Sequence, residues 1–206
     1  MIKPGTEHVL LQEQIKYSHV YGQAPTYGHT NHAQGSYWLL EQTIIPGLPD
    51  DPQVLDVGCG HGEFLAWIRA RLPGPLPLMV YGTDLVAKEI HGAPKDKNGV
   101  FFLAGPAWDL GFLDSTVDLL TAFDLLEHIP PAMLPATLQE FDRVCRGEMI
   151  FSIGHRSSQK CGIELHQTIQ KMPWWRDYLE AAYPGRVQVM KSTHGLASEY
   201  FGVKAR

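Results

Sequence analysis

The stretch Val54-Leu-Asp-Val-Gly-Cys-Gly-His-Gly-Glu-Phe64 constrains this chain more than any other. An apolar run from Val54 to Val57 stops at Gly58, Gly60 and Gly62, and Phe64, Leu65, Trp67, Ile68 and Leu72 follow at helical spacing. Strand, glycine turn and helix open a βαβ unit. Glycine is needed where the backbone turns with positive φ or lies against a ligand with no Cβ in the way. The helix that follows offers free N–H groups at its start. Several nucleotide-binding folds share a Gly-x-Gly-x-Gly turn, but two details narrow it. The dinucleotide fingerprint places its third glycine one residue later. Asp56, two residues before Gly58, puts a carboxylate where a pyrophosphate gains nothing and a ligand's amino group gains a partner.

On these residues the chain resembles the class I S-adenosylmethionine-dependent methyltransferases, whose first motif reads much like Leu55-Asp-Val-Gly-Cys-Gly-His-Gly62. The resemblance runs from about Val54 to Ile153. It implies a Rossmann-like core, S-adenosyl-L-methionine as cofactor, and contacts from Asp56, Gly58, Cys59, Gly60 and Gly62. The second strand, Leu78-Met-Val-Tyr-Gly-Thr-Asp84, ends in an acid placed to accept both ribose hydroxyls of an adenosine. Asp is equally a preferred helix N-cap. With Asp84 on the ribose, Leu85 sits beside the adenine. After the third strand, 100–104, the family often has a Gly-Asp-Ala-like turn whose acid meets the adenine amino group. Here Pro106 stands in that place, so that contact does not carry over, and Ala107 backbone or the Trp108 ring is left to hold the adenine. The fourth strand, 118–124, leads into Phe123-Asp-Leu-Leu-Glu-His-Ile-Pro130, similar to the Leu-Glu-His-Ile turn of the family, which places Phe123 and Asp124 near the cofactor.

Strand and helix patterns alternate along the whole middle of the chain. A helix is expected at 131–145, a fifth strand at 148–153, a helix entered at Pro173 and running through Leu179, an alternating antiparallel strand at 187–191, and a last edge strand at 198–203. Helices are also expected before the first strand, near residues 9–17 and 36–45, and a short one at 86–90. The pattern predicts an α/β fold: an open, mostly parallel sheet with helices on both faces and an antiparallel edge strand. Ligands in such sheets sit beyond the C-terminal strand ends. The glycine turn, Asp84, Ala107–Trp108, the 123–128 turn and Gly154–His155 all fall there. No repeat or low-complexity linker appears, so 1–206 reads as one domain: an N-terminal helical lid over 1–50, a cofactor-binding core over 51–154, and a substrate-side insertion with the final strands over 155–206. Tyr17, Tyr21, Tyr27 and His32 either line that lid or pack on the sheet edge.

Methyl transfer from a sulfonium is an in-line displacement, in which the protein orients the acceptor and excludes water. A hydroxyl acceptor gains from a general base, and imidazole is suited to that near neutral pH. His128 follows the fourth strand and is the first choice, with His166 and His155 behind it. Each is also readable as a solvent-facing or capping residue. Glu127 is placed to hold a substrate hydroxyl or orient a histidine. No His-x-x-x-His or Cys/His cluster has zinc spacing, and no clustered carboxylates and amides follow the fourth strand, so no metal is expected.

The expected acceptor is a small molecule, a sugar or other metabolite, methylated on oxygen. The net charge of −5 argues against a nucleic-acid partner. Residues 151–206 nonetheless hold 8 Lys+Arg against 4 Asp+Glu, read as ordinary solvated surface or as a basic lobe facing an anionic acceptor. No apolar run approaches the ~20 residues of a membrane span, and the N-terminal residues lack a signal-peptide pattern. Cys59, Cys145 and Cys161 form no paired framework, which points to a cytoplasmic protein. Three other readings compete: a methyltransferase of a protein or nucleic-acid target, a non-catalytic S-adenosylmethionine-binding module, and a nicotinamide-dependent oxidoreductase. The last is disfavoured by the glycine spacing and Asp56. The oligomeric state is left open.

Overall fold

The computed structural model describes residues 5–24, 26–28, 37, 39–72, 80–86, 100–191 and 199–204. Helix α1, Glu7–Gln23, turns Leu10, Glu13, Tyr17 and Val20 inward at three- and four-residue spacing. A π-helical turn, Leu40–Ile44, and a 3-10 turn, Ile45–Gly47, precede the first strand. Then come β1 Val54–Val57, α2 Glu63–Arg69, β2 Val80–Asp84, β3 Val100–Ala104 and β4 Val117–Phe123. Two 3-10 turns, Leu126–His128 and Pro131–Met133, lead into α3 Leu134–Val144 and β5 Cys145–Ser152. A small hairpin, β6 Gln159–Lys160 with β7 Ile163–Glu164, precedes α4 Met172–Ala182, β8 Val187–Lys191 and β9 Glu199–Lys204.

Seven strands form one sheet in the order β3-β2-β1-β4-β5-β9-β8. The first five are parallel, and β9 is antiparallel to both β5 and β8. Successive residues of a strand point to opposite faces, and the core divides accordingly. Leu55, Val57, Leu120 and Ala122 pack with Leu138 and Phe141 of α3 and Trp175 and Leu179 of α4. Val54 and Leu119 pack with Phe64, Leu65 and Ile68 of α2. Helices therefore cover both faces, which is why β1 and β4 read as unbroken apolar runs. Phe141 is fully buried against Phe151, with ring centroids 5.9 Å apart. Phe141→Ala is expected to cost about 3–5 kcal/mol, read as a fall in the urea midpoint at unchanged slope.

The expected fold class is the observed one, with local differences. The last strand does not lie at the edge. β9 enters between β5 and β8, leaving β8 outermost among the described residues. Its interior place suits Phe201 and Val203, both buried. The β6–β7 hairpin is not among the expected elements. Cys161 and Gly162 both have positive φ, 52° and 76°, the geometry of a two-residue type I′ hairpin turn. The predicted helix at 86–90 beyond Val86, most of the loop before β3 and His32 lie outside the described residues. Among the described residues no helix is long and apolar enough to cross a membrane.

Candidate active site

The parallel register brings five strand ends to one side of the sheet. Asp56 pairs with Gly82 and Thr121, Asp84 with Ala104, and Phe123 with Ser152. Gly58 and Cys59 donate backbone N–H to the Thr83 carbonyl at 2.7 and 3.0 Å, docking the glycine turn on the end of β2. Gly60 has φ +50°, and a Cβ there would lie 2.6 Å from the Gly28 carbonyl. Glycine is thus required both by the turn and by the close approach of the N-terminal segment. The Cys59 side chain packs over Gly82, whose own Cβ would meet its Sγ at 2.7 Å. Burial pushes that thiol well up.

A cavity of about 800 Å³ opens over these ends, toward the upper limit of small-molecule sites. Asp56, Gly58, Cys59, Gly60, Asp84, Leu85, Ala107, Trp108, Phe123, Asp124, His128, His155 and His166 all line it. Gly62 does not. It starts α2 with φ +78°, and a Cβ there would strike the Phe102 ring.

At one end of the cavity Asp84 accepts the Gly60 N–H on Oδ2 and the Val86 N–H on Oδ1, each at 3.1 Å. Each oxygen keeps a lone pair for a further donor. Burial raises its carboxyl against those two bonds. Asp56 accepts from the Thr121 hydroxyl at 2.7 Å, and burial still lifts its pKa to about 7. Trp108 is fully buried and its indole N–H has no acceptor. These groups fit an adenosine with an amino-acid tail: two hydroxyls for Asp84, an ammonium for Asp56, and a base acceptor for the Trp108 N–H.

Tyr17, Tyr21 and Tyr27 line the cavity from the N-terminal segment, Tyr21 edge-on to Tyr27 at 5.0 Å. His61 Nε2 lies 3.0 Å from the Tyr27 carbonyl, fastening this segment to the glycine turn. Burial raises all three phenols, so they are neutral.

The other end is built from the turn after β4 and the residues after β7. Asp124 adopts φ +47°, a strained position for a non-glycine residue. Ser152 holds it, accepting the Asp124 N–H and donating to Oδ1, both at 3.0 Å. Glu127 is fully buried. Its Oε1 accepts the Gly154 N–H, and its Oε2 has no partner. Burial, with Asp124 nearby, pushes this carboxyl well up. His128 Nδ1 pairs with the Tyr17 hydroxyl at 2.9 Å. Burial, the His166 ring and Lys16 push the His128 imidazole down to about 3. His166 stacks edge-on to His128 at 4.5 Å, bonds the Arg156 carbonyl through Nδ1, and sets Nε2 at 4.0 Å from Glu127 Oε1. His155 is exposed at the rim. Glu13 was not anticipated in the cavity lining. Its signal was a charged residue in register with Leu10, Tyr17 and Val20 on the buried face of α1.

Residues 54–148 match a sequence family described as "Methyltransferase domain". A demethylmenaquinone methyltransferase of Roseiflexus sp. (strain RS-1) is 30% identical over 112 residues. That match covers 53% of this chain and spans 44% of the relative. The fold is shared with a Burkholderia thailandensis 1,6-didemethyltoxoflavin-N1-methyltransferase, solved with 1,6-didemethyltoxoflavin and S-adenosylhomocysteine bound. Its TM-score is 0.64 at 19% identity, covering 100% of this chain and 91% of that one. A Pyrococcus horikoshii OT3 protein gives 0.64 at 18% identity, covering 90% and 98%.

Proposed function

We propose, on the premise that residues 54–148 form a class I S-adenosylmethionine-dependent methyltransferase domain, that this chain methylates a hydroxyl oxygen of a small molecule. The observation that carries the reading is one cavity with two chemically different ends, one fitted to an adenosyl amino acid and the other lined by Glu127, His128 and His166. S-adenosylmethionine supplies an electrophilic methyl group. Backbone at Gly58, Cys59 and Gly60 holds its amino-acid portion, and Asp56 faces its ammonium. Asp84 takes the ribose hydroxyls, and Leu85, Ala107 and Trp108 enclose the base. Phe123 and Asp124, which line the same cavity, would flank the methyl group. Tyr17, Tyr21 and Tyr27 roof the cavity and exclude water.

His128 is a poor proton acceptor with its pKa near 3, so the leading role at the acceptor passes to His166, with Glu127 beside it. His155 at the rim serves acceptor binding. Arg156 and Lys160 also line the cavity, which supports an anionic group on the acceptor. Both relatives whose names give an acceptor name a small molecule. Transfer of label from S-[methyl-³H]adenosylmethionine to quinols, phenols and carboxylated sugars tests this. No labelled product across the panel, with label passing to RNA or protein instead, contradicts it.

The pKa of Asp56 gives this reading a pH signature. Its proton must leave before an ammonium can pair with it. From the value near 7, S-adenosylhomocysteine is expected to bind about tenfold tighter at pH 8 than at pH 6. In Asp56→Asn that dependence should flatten. Affinity that weakens over the same range speaks against the pairing.

A further inference from the structure

We propose that Glu127, His128 and His166 form a three-ligand site for a divalent first-row cation, with zinc the expected occupant. One ligand atom from each lies within 4.8 Å of the other two. Two imidazoles and a carboxylate with an open position are the donor set of catalytic zinc.

The set is held rigidly by its own backbone. Gln167 and Thr168 donate N–H to the Glu127 carbonyl at 2.7 and 3.0 Å, and Gln167 Nε2 donates to the His128 carbonyl at 2.8 Å. Each imidazole also has an outer partner. The Arg156 carbonyl can only accept, so His166 Nδ1 carries the proton and Nε2 presents a lone pair. The Tyr17 hydroxyl meets His128 at Nδ1, and the Leu165 carbonyl holds its ring as well. Metal-ligating histidines are oriented by such partners.

Two further observations suit a bound cation. Glu127 Oε2 is fully buried with no hydrogen-bond partner, a costly state unless something binds it. His166 Nε2 faces Glu127 Oε1 across 4.0 Å, too far for a hydrogen bond. Two ligand atoms about 2.1 Å from a tetrahedral ion stand roughly 3.4 Å apart, closer than the spacing of up to 4.8 Å within this group, so the three side chains would draw inward as an ion binds. The gap is kept open by Gly154, where a Cβ would lie 2.6 Å from Glu127 Oε1 and 2.8 Å from His166 Cε1.

The existence of the site is independent of the methyltransferase reading; its role rests on that reading. A cation held by Glu127, His128 and His166 would acidify an acceptor hydroxyl at its open position. The hydroxyl's proton leaves to solvent, its oxygen forms the new O–C bond, and the S–C bond breaks to release a neutral thioether.

The test uses the full chain, stripped with a chelator and dialysed, then titrated with zinc sulfate against a chromophoric chelator. One equivalent is expected per chain. His166→Ala and Glu127→Gln should each weaken zinc by more than about 100-fold, beyond the loss expected from an outer partner alone. The exposed-helix control His19→Ala should bind as the parent does. Cobalt(II) in the parent should give visible bands of a low-coordinate nitrogen–oxygen site, a readout that needs no variant to fold. A folded parent that takes up no zinc and gives an octahedral cobalt spectrum overturns the proposal. So does zinc binding that both substitutions leave unchanged. S-adenosylhomocysteine titrated into the same stripped protein separates the two claims. Its binding without zinc uptake sinks the metal site alone, and zinc uptake without its binding sinks the methyltransferase reading alone.

Discussion

His166→Ala is expected to lower kcat by ~10²–10⁴, the range for a group that handles the acceptor's proton in the transition state, while affinity for S-adenosylhomocysteine stays within about twofold. His166 lies at the end of the cavity away from Asp84, with Nε2 turned toward Glu127 and Nδ1 committed to the Arg156 carbonyl. Its loss removes the acceptor-side nitrogen, whether that nitrogen takes the proton itself or helps to hold an ion that acidifies the hydroxyl, and leaves the adenosine end intact. An effect confined to KM, with kcat preserved, would assign His166 to acceptor binding alone. Measuring kcat and thermal stability on the same sample excludes loss by unfolding.

Asp84→Ala should produce the opposite split. Each hydrogen bond to a charged group contributes about 1.5–3 kcal/mol, so S-adenosylhomocysteine is expected to bind roughly 10- to 150-fold more weakly. Saturating donor should restore much of kcat, because the acceptor end is untouched. Asp84 also holds the Gly60 and Val86 N–H groups. The alanine variant therefore loses stability too, and binding is compared on protein shown to be folded. Unchanged affinity in a folded variant would remove Asp84 from the cofactor site.

The fold could be read from the sequence wherever burial on both sides imposes a pattern. β1 and β4 are covered on both faces, so they appear as continuous apolar runs. Pro173 marked the start of α4 because proline is tolerated in the first turn. The position of β9 could not be read, since strand order depends on which edge a returning chain meets and not on its own residues. The β6–β7 hairpin was hidden by its shortness, with only the glycine of Cys161–Gly162 to mark it. At the site, residues close in sequence were readable as a group. Gly58, Cys59 and Gly60 belong to one turn, and Asp84 ends the neighbouring strand. The acceptor end was harder. His128 and His166 were each singled out, but their contact comes from the return of the chain after β7, and spacing carries no trace of it. The Tyr17 hydroxyl that meets His128 Nδ1 comes from α1, farther still along the chain. Glu127 and Gly154 act as a pair only because β4 and β5 are neighbours.

The glycine-turn end of the cavity is expected to hold S-adenosylmethionine, and titration calorimetry of the purified chain with S-adenosylhomocysteine at pH 8 measures this. A saturable one-to-one isotherm is expected, weakened in Asp84→Ala and unaltered in His166→Ala. No heat and no thermal stabilisation with S-adenosylhomocysteine, alongside tight binding of a nicotinamide dinucleotide, would contradict it.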